Sequence, residues 1–271
     1  MTGNSRGSKK KTMRSKDVTR KPLPDYFNPE PKTASEAIRD LVLANRILSY
    51  EGIFDYLGHV SVRNPKNAKS FFISRAIAPE QVTKQDILEV DFDGRVLSRT
   101  KESPYSETII HGAIYAARPD VTSVIHAHPK ELVILSVIDM PVTLIQHPST
   151  IFHAGVPVFD EYNFKGSGML IKTKEEGASV ARNLGKAMGN LMRGHGVNVV
   201  GDSIPFAVRA MIELRNNVQI QLAAQHFGRI KTITEEEAKL TAKTFDQNTS
   251  KRPWNYWVTR VKQAMPDLKD Y

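Results

Sequence analysis

The sequence predicts an α/β fold in which helices cover a mixed β-sheet. Stretches with the periodicity of a helix alternate with short β-branched stretches, which favours a sheet packed against helices. The pair Asp93-Gly94 between two apolar stretches indicates a β-hairpin early in the chain. With 40% hydrophobic and 25% charged residues, the chain can bury a sizeable core.

The first helix is predicted from its N-terminal cap. Thr33 and Glu36 have the spacing of a capping box, apolar residues follow at helical intervals, and Gly52 ends the helix after about Tyr50. Short strands are predicted next at 59–62 and 71–74, and then the two arms of the hairpin at 87–92 and 95–97.

The second half of the chain continues the alternation. Helices are predicted at 106–117, 129–138, 174–192 and 203–227. Strands are predicted at 121–126 and 197–200, with short strands and turns at 142–159. Residues 235–271 are predicted as a helix followed by a tail that carries Trp254, Tyr256 and Trp257.

Most of the positive charge lies at the N-terminus. The formal net charge is +9; residues 1–21 carry eight Lys and Arg against Asp17 alone, which gives +7 there and leaves +2 for the rest. We interpret residues 1–32 as a basic, disordered tail that aids solubility; the alternatives are contact with nucleic acid or a membrane surface, or a role in targeting. Because the body is near neutral, we expect neither nucleic acid nor a membrane as a partner.

The chain contains no cysteine, which excludes disulfides, thiolate metal sites and a cysteine nucleophile. A metal site would therefore use nitrogen and oxygen ligands. No apolar stretch approaches the length of a membrane span, and no signal-peptide pattern opens the sequence. The sequence therefore predicts a soluble, cytoplasmic protein.

A pair of histidines at the end of a predicted strand is the sharpest local feature. His126 and His128 are two residues apart, so on a strand their side chains point to the same face. Pro129 ends the strand at that point. Such a pair can bind a zinc-type ion through imidazole nitrogens, although hydrogen-bonded histidines without a ligand role are the alternative.

Two further patterns add candidate groups. His195 lies between two glycines, which let the backbone bend and bring a ligand close; an ordinary glycine-rich turn is the alternative. Glu107 and His111 are one helical turn apart on one face. A carboxylate near a metal can act as an acid/base group or as a fourth ligand, whereas His111 also fits a buried structural role.

In this order, these pieces resemble the class II aldolase/adducin family. The resemblance covers about residues 33–230 and rests on Glu107 through His111, Arg118-Pro119-Asp120, His126-Ala127-His128 and Gly194-His195-Gly196. It implies that His126, His128 and His195 hold one divalent ion per chain, zinc or manganese, and that Glu107 is the acid/base group. It also implies a three-layer α/β/α fold with a largely antiparallel sheet, and a homotetramer with each metal site near a subunit boundary.

The composition and the resemblance together predict three parts of the chain. Residues 1–32 form the basic tail, and 33–230 form the catalytic domain. Residues 231–271 form a C-terminal helix and an aromatic tail that pack on this domain or on a neighbouring subunit.

The departures from the sugar-phosphate members of the family point to the substrate. Those members show Gly-Asn-Xaa-Ser where this chain has Gly58-His59-Val60-Ser61, and a small polar loop where it has Ser74-Arg75-Ala76. A phosphate cradle needs several small donors, whereas Arg75 could pair with a carboxylate. We therefore predict His59, Ser74 and Arg75 as substrate contacts, with a surface or interface ion pair as the alternative for Arg75.

The sequence thus looks closest to the branch that decarboxylates hydroxylated aromatic acids. We predict a metal-dependent carbon–carbon lyase, a decarboxylase or aldolase, that acts on a non-phosphorylated small molecule with a carboxylate. In the aldolases a tyrosine from a neighbouring subunit serves as a second acid; here that region offers His147 or His153. A sugar-phosphate aldolase or epimerase is the first alternative, and a non-catalytic adducin-like interaction module is the second.

Overall fold

The computed structural model describes residues 24–245 and 247–271. The elements of the N-terminal half are α1 (Ala34–Tyr50), β1 (His59–Asn64), β2 (Asn67–Ser74), β3 (Ile87–Asp91), α2 (Thr108–Ala117), β4 (Ser123–Ala127) and α3 (Lys130–Ser136). Those of the C-terminal half are β5 (Val158–Phe159), α4 (Lys174–Leu184), β6 (Gly189–Met192), β7 (Gly196–Gly201), α5 (Ile204–Ala224), α6 (Glu235–Ala242) and α7 (Lys251–Ala264). None of the helices within these two ranges combines the length and apolar character of a membrane span.

The strands form one seven-stranded sheet in the order β3-β2-β1-β4-β7-β6-β5. Each pair of neighbours is antiparallel except β5 and β6, which are parallel. Helices pack on both faces of this sheet. The mixed, largely antiparallel α/β/α fold that the sequence predicts is therefore confirmed.

The two faces of the sheet bury separate cores. One core lies between the sheet and α1, α5 and α7, and the other lies between the sheet and α2 and α4. Alternation along β1 sends Val60 and Val62 to the first core, and His59 and Ser61 to the face covered by α2. This second face carries the polar residues that the sequence analysis singled out.

The predicted capping box of α1 is confirmed, but other predicted elements differ from the structure. The helix predicted over 174–192 ends at Leu184, because Gly185 adopts a φ of 53° and Gly189 begins β6. Residues 95–97 form a single bridge from Val96 to Val90 instead of a strand. The aromatic tail predicted near the C-terminus is helix α7.

Helix α7 packs on the same domain through its aromatic residues. Trp254 is fully buried in the core that α1 and α5 share, and its indole nitrogen donates to the carbonyl of Tyr26. The amide of Tyr26 in turn donates to Asn255. Tyr26 and Phe27, which the sequence assigned to the tail, thus pack on the core of the domain, and Tyr26 lies against α7. Residues 1–23 of that tail lie outside the described residues.

Asp40 gives a prediction about stability. Its side chain on α1 is 1% exposed, Arg39 contacts one oxygen, and the other has no hydrogen-bond partner among the described residues. Burial raises the pKa of Asp40 to about 7, although Arg39 opposes the shift. Since an unfolded Asp ionises near pH 4, the free energy of unfolding is expected to fall as the pH rises from about 4 to 7.

We therefore expect Asp40→Asn to raise Tm at about pH 8 and to leave it nearly unchanged at about pH 4. Thermal denaturation of the variant and the unsubstituted chain at both pH values measures the difference. Equal shifts in Tm at the two pH values would contradict the prediction.

Candidate active site

Three histidines and one glutamate converge at one end of the sheet. Glu107, His126, His128 and His195 each offer one ligand atom within 4.8 Å of the others. The Nε2 atoms of His126 and His128 are 3.0 Å apart, and His195 Nε2 lies 3.3 Å from Glu107 Oε2. The structure thus brings together the four residues predicted as ligands and acid/base group.

The backbone explains why these side chains meet. His126 lies on β4 and His128 just beyond its end, so both side chains leave the same face. His195 lies in the turn between β6 and β7, where Gly194 adopts a φ of 64° that favours glycine. A Cβ atom at Gly196 would lie 2.4 Å from a backbone oxygen of β4. Strands β4 and β7 can therefore approach each other this closely only with glycine at position 196.

In His195 and His126, a hydrogen bond to the ring nitrogen that points away from the site fixes which nitrogen carries the proton. His195 Nδ1 lies 3.1 Å from the carbonyl oxygen of Met169, which can only accept, so this nitrogen donates. His126 Nδ1 lies 2.8 Å from Asn198 Oδ1. The amide nitrogen of Asn198 donates to Asn190, so its oxygen accepts from His126. In both imidazoles Nε2 is left with its lone pair turned to the centre of the site.

His128 follows the same pattern, because its Nδ1 lies 3.4 Å from a carboxylate oxygen of Asp55. Three Nε2 lone pairs and the Glu107 carboxylate therefore face one another, with the closest pairs at 3.0 and 3.3 Å. Such groups repel unless a cation lies among them. Imidazole nitrogen and carboxylate oxygen are donors that zinc and manganese accept, so the donor set fits a divalent metal ion.

The protonation states of His126 and Glu107 also suit the binding of a divalent metal ion. Burial lowers the pKa of His126 to about 3, so the imidazole is neutral at neutral pH. Burial also acts to raise the pKa of Glu107, but the His195 side chain, whenever its Nε2 carries a proton in place of a metal, and the amide of Ile171, 3.0 Å from Oε1, outweigh burial and lower this pKa below its usual range. The site therefore combines a neutral imidazole with a carboxylate anion.

Glu107, His128 and His195 border a pocket of about 550 Å³, and His126 lies buried behind them. Apart from the polar groups already described, its walls are mostly apolar or aromatic and include Leu57, Ala76, Tyr105, Met169 and Leu170. His59 also lines the pocket, with its ring centroid 5.0 Å from that of His126 and 4.7 Å from that of Tyr105. None of the lining residues within the described part of the chain is Lys or Arg.

Of the three predicted substrate contacts, the structure brings His59 into the pocket but not Ser74 or Arg75. Ser74 is buried at the end of β2. The Arg75 guanidinium lies 2.6 Å from an oxygen of Asp86 and 3.7 Å from one of Glu102. Contact between Arg75 and a substrate carboxylate stays a prediction, and this geometry favours the ion-pair alternative.

The two candidates for the second acid lie elsewhere in this chain. His147 begins the short 3₁₀ helix His147–Phe152 and packs on Phe245, with ring centroids 5.5 Å apart. His153 follows that helix directly. Neither lines the pocket, so a role for either as the second acid depends on a neighbouring subunit and is still a prediction.

Several residues around the site were missed in the sequence analysis. The signal for Asn198 was present, because it is a polar residue in the fully buried strand β7, where a polar group needs a partner. Asp55, Tyr105 and Met169 lie in connecting segments, where no periodic pattern marks a side chain as part of a pocket.

We predict that Asn198 supports metal binding through His126. Asn198→Ala removes the oxygen that accepts from Nδ1 and frees the ring to change tautomer, so metal affinity is expected to fall by about 10- to 100-fold. Competition with a chelating dye measures the affinity. Asn45→Ala is the control: it removes another fully buried asparagine, which lies on α1 outside the donor cluster, and should leave the metal affinity unchanged.

Known proteins that are similar to this chain include class II aldolases and decarboxylases. The profile of the "Class II Aldolase and Adducin N-terminal domain" family matches residues 39–222. Decarboxylase tropJ of Talaromyces stipitatus is 30% identical over 84% of this chain and 95% of its own length. The 3,4-dihydroxyphthalate decarboxylase of Arthrobacter keyseri is 26% identical over 86% of this chain and 97% of its own. Among solved structures, the L-fuculose 1-phosphate aldolase of Glaciozyma antarctica superposes with a TM-score of 0.75, at 23% identity, over 89% of this chain and 96% of that one.

Proposed function

This chain belongs to the class II aldolase and adducin family, and on that premise we propose that it is a metal-dependent carbon–carbon lyase that decarboxylates a hydroxylated aromatic acid. The observation that carries this proposal is the pocket. Three of the four metal-type donors line it beside mostly apolar and aromatic walls, and the fourth, His126, lies directly behind them. Two of the relatives described above are decarboxylases, and the name of one gives a dihydroxylated aromatic acid as its substrate.

His126, His128 and His195 would hold one zinc or manganese ion, with Glu107 as a possible fourth ligand. Such an ion supplies positive charge that stabilises the electron pair left on carbon when the neighbouring bond breaks. The contribution of the protein is to hold the donor atoms in place before substrate arrives. Asn198 and the carbonyl of Met169 do this by binding the outer nitrogens of two of the imidazoles.

Glu107 is the group to which we assign proton transfer. The amide of Ile171 holds Oε1, which leaves Oε2 facing His195 and the pocket. In the decarboxylation, the bond from the ring carbon to the carboxyl carbon breaks, carbon dioxide leaves, and the ring carbon takes a proton. A carboxyl group at this position can deliver that proton or take one from a substrate hydroxyl.

The walls of the pocket favour an aromatic substrate over a sugar phosphate. Leu57, Met169 and Leu170 offer apolar surface, and Tyr105 offers a ring, which suits a flat aromatic group. A phosphate dianion is usually bound by several converging donors or by a cation, whereas Ala76 stands at this wall and the described lining contains no Lys or Arg. The retained donor set supports an enzyme rather than the adducin-like module.

A side-by-side turnover assay of the metal-loaded chain tests the substrate class. We expect carbon dioxide release from hydroxylated aromatic carboxylates and no appreciable cleavage of ketose 1-phosphates. Efficient cleavage of a ketose 1-phosphate would overturn the proposal and favour the sugar-phosphate aldolase.

Arg75 provides a separate prediction within this assay. Because its guanidinium pairs with Asp86 and Glu102, we expect Arg75→Ala to lower Tm and to leave kcat/KM within a few-fold. Asp86→Asn removes the charge of the closer partner of Arg75 and should also lower Tm. A loss of more than about 100-fold in kcat/KM for Arg75→Ala alone would instead support direct contact with the substrate.

We further propose that the chain acts as a homotetramer, as the family resemblance implies. Large apolar side chains are exposed beside the pocket, with Tyr56 72% and Leu57 47% exposed. Burying them against another copy would remove apolar surface from water. Light scattering should therefore give a mass of four chains, and a monomer at micromolar concentration would contradict this assignment.

A further inference from the structure

A line of four buried polar side chains runs from the pocket into the layer between the sheet and α2. His59 Nδ1 lies 2.7 Å from His111 Nε2, and His111 Nδ1 lies 2.7 Å from Ser61 Oγ. The Ser61 oxygen lies 2.7 Å from the hydroxyl of Tyr115. Each of these residues is at most 2% exposed. We call His59, Ser61, His111 and Tyr115 the His59 relay.

The relay follows from the spacing of its members in the sequence. His59 and Ser61 are two residues apart on β1, which places their side chains on one face about 6.6 Å apart. His111 and Tyr115 are four residues apart on α2, which separates them by about 6 Å along one helix face. Because these two repeats nearly match, side chains from the strand and the helix alternate along the relay.

The inner end of the relay sets its polarity. The Tyr115 hydroxyl donates to the carbonyl of Thr122 at 3.3 Å, so its oxygen accepts from Ser61. Ser61 has then used its proton and accepts from His111 Nδ1. Burial lowers the pKa of His111 to about 3, so the ring is neutral and its Nε2 accepts. His59 must therefore donate from Nδ1.

The outer end of the relay is the remaining nitrogen of His59. His59 lines the pocket, and no hydrogen bond among the described residues uses its Nε2. His59 also stands outside the group of four metal-type donors, so this nitrogen is not needed there. A lone pair turned to the pocket can accept from a hydroxyl group.

We propose that the relay holds His59 in the tautomer protonated on Nδ1, so that its Nε2 accepts a hydrogen bond from a hydroxyl group of the substrate. The identity of the substrate as a hydroxy compound rests on the proposed function. Ser61, His111 and Tyr115 are then positioning residues, which act on the substrate through His59. The opposite polarity would give up the bond from Tyr115 to Thr122 and turn an N–H of His59 to the pocket.

Nitrogen-15 NMR of the zinc-loaded full chain, labelled at histidine, tests the tautomer directly. The resonances of His59 are identified by their loss in His59→Gln. We expect a pyrrole-type nitrogen at Nδ1 and a pyridine-type nitrogen at Nε2, and a shift of Nε2 when 3,4-dihydroxybenzoate binds. A protonated Nε2 in the unsubstituted chain, or no response of Nε2 to this ligand, would overturn the proposal.

Two variants test whether the relay sets the tautomer. Tyr115→Phe removes one hydroxyl and Ser61→Ala another, and in each we expect His59 to become a mixture of both tautomers. The affinity for 3,4-dihydroxybenzoate should fall by about three- to ten-fold, as for a lost neutral hydrogen bond. Ser149→Ala, which removes an equally buried hydroxyl outside the relay, should change neither quantity. An unchanged His59 spectrum in Tyr115→Phe would show that the relay does not set the tautomer.

The spectra and the turnover assay can fail independently. A chain with the expected tautomer and ligand response, but no decarboxylase activity, contradicts the proposed function and leaves the relay standing. A chain that decarboxylates with His59 protonated on Nε2 contradicts the relay alone.

Discussion

Glu107→Gln is expected to lower kcat for decarboxylation by about 100-fold or more. The amide oxygen can still accept from Ile171, so the side chain and the start of α2 should keep their positions. The amide cannot carry a proton to or from the substrate at neutral pH, which is the role assigned to this residue. Steady-state kinetics of the metal-saturated variant measures the loss, and circular dichroism checks the fold.

Glu176→Gln is a matched control for this change. Glu107 and Glu176 are each 7% exposed, and each accepts backbone hydrogen bonds near the start of a helix. Glu176 does not line the pocket, so its variant should change stability and leave kcat within a few-fold. If Glu107→Gln kept kcat within a few-fold as well, proton transfer would belong to another group, with His147 and His153 as the next candidates.

His195→Ala is expected to remove both bound metal and activity. The variant loses one of the three imidazole donors and also the contact between His195 and Glu107. The loss of metal affinity should exceed the roughly 10- to 100-fold expected for an outer partner such as Asn198. Elemental analysis after dialysis measures occupancy, which should be about one ion per unsubstituted chain.

His226→Ala controls for the loss of any histidine, because His226 is exposed and lies outside the donor cluster. Its metal occupancy should match that of the unsubstituted chain. Undiminished occupancy in His195→Ala would contradict the assignment of this residue as a ligand, whatever the effect on turnover.

The sequence predicted the centre of the site because short-range rules govern it. The two-residue repeat of a strand makes His126 and His128 neighbours in any sheet that contains them. The glycines on either side of His195 were readable as a bend, and the structure adds the reason for the second, which lies against β4. The resemblance to a family then supplied the long-range pairing that no local pattern contains.

The surroundings of the site could not be predicted in the same way. Contact between Arg75 and the substrate stays a prediction; in the structure its guanidinium pairs with Asp86 and Glu102, and sequence spacing says nothing about which partner an arginine takes. The relay forms only because β1 and α2 pack against each other with matching residues opposite one another. Sequence spacing does not show that packing, so His111 was recognised only as a histidine on one face of a helix. Gly185, which ends α4, was hidden inside a stretch that otherwise has helical periodicity.

We propose that a divalent ion in this cluster enables the chain to break a bond to a carboxyl carbon. This role of the metal is tested most directly by titrating the metal-free chain with manganese or zinc while measuring carbon dioxide released from a hydroxylated aromatic carboxylate. We predict no release without metal, a linear rise, and a break at about one equivalent per chain. Release at the full rate from the metal-free chain, or no release at any metal concentration from any such acid, would contradict this role of the metal.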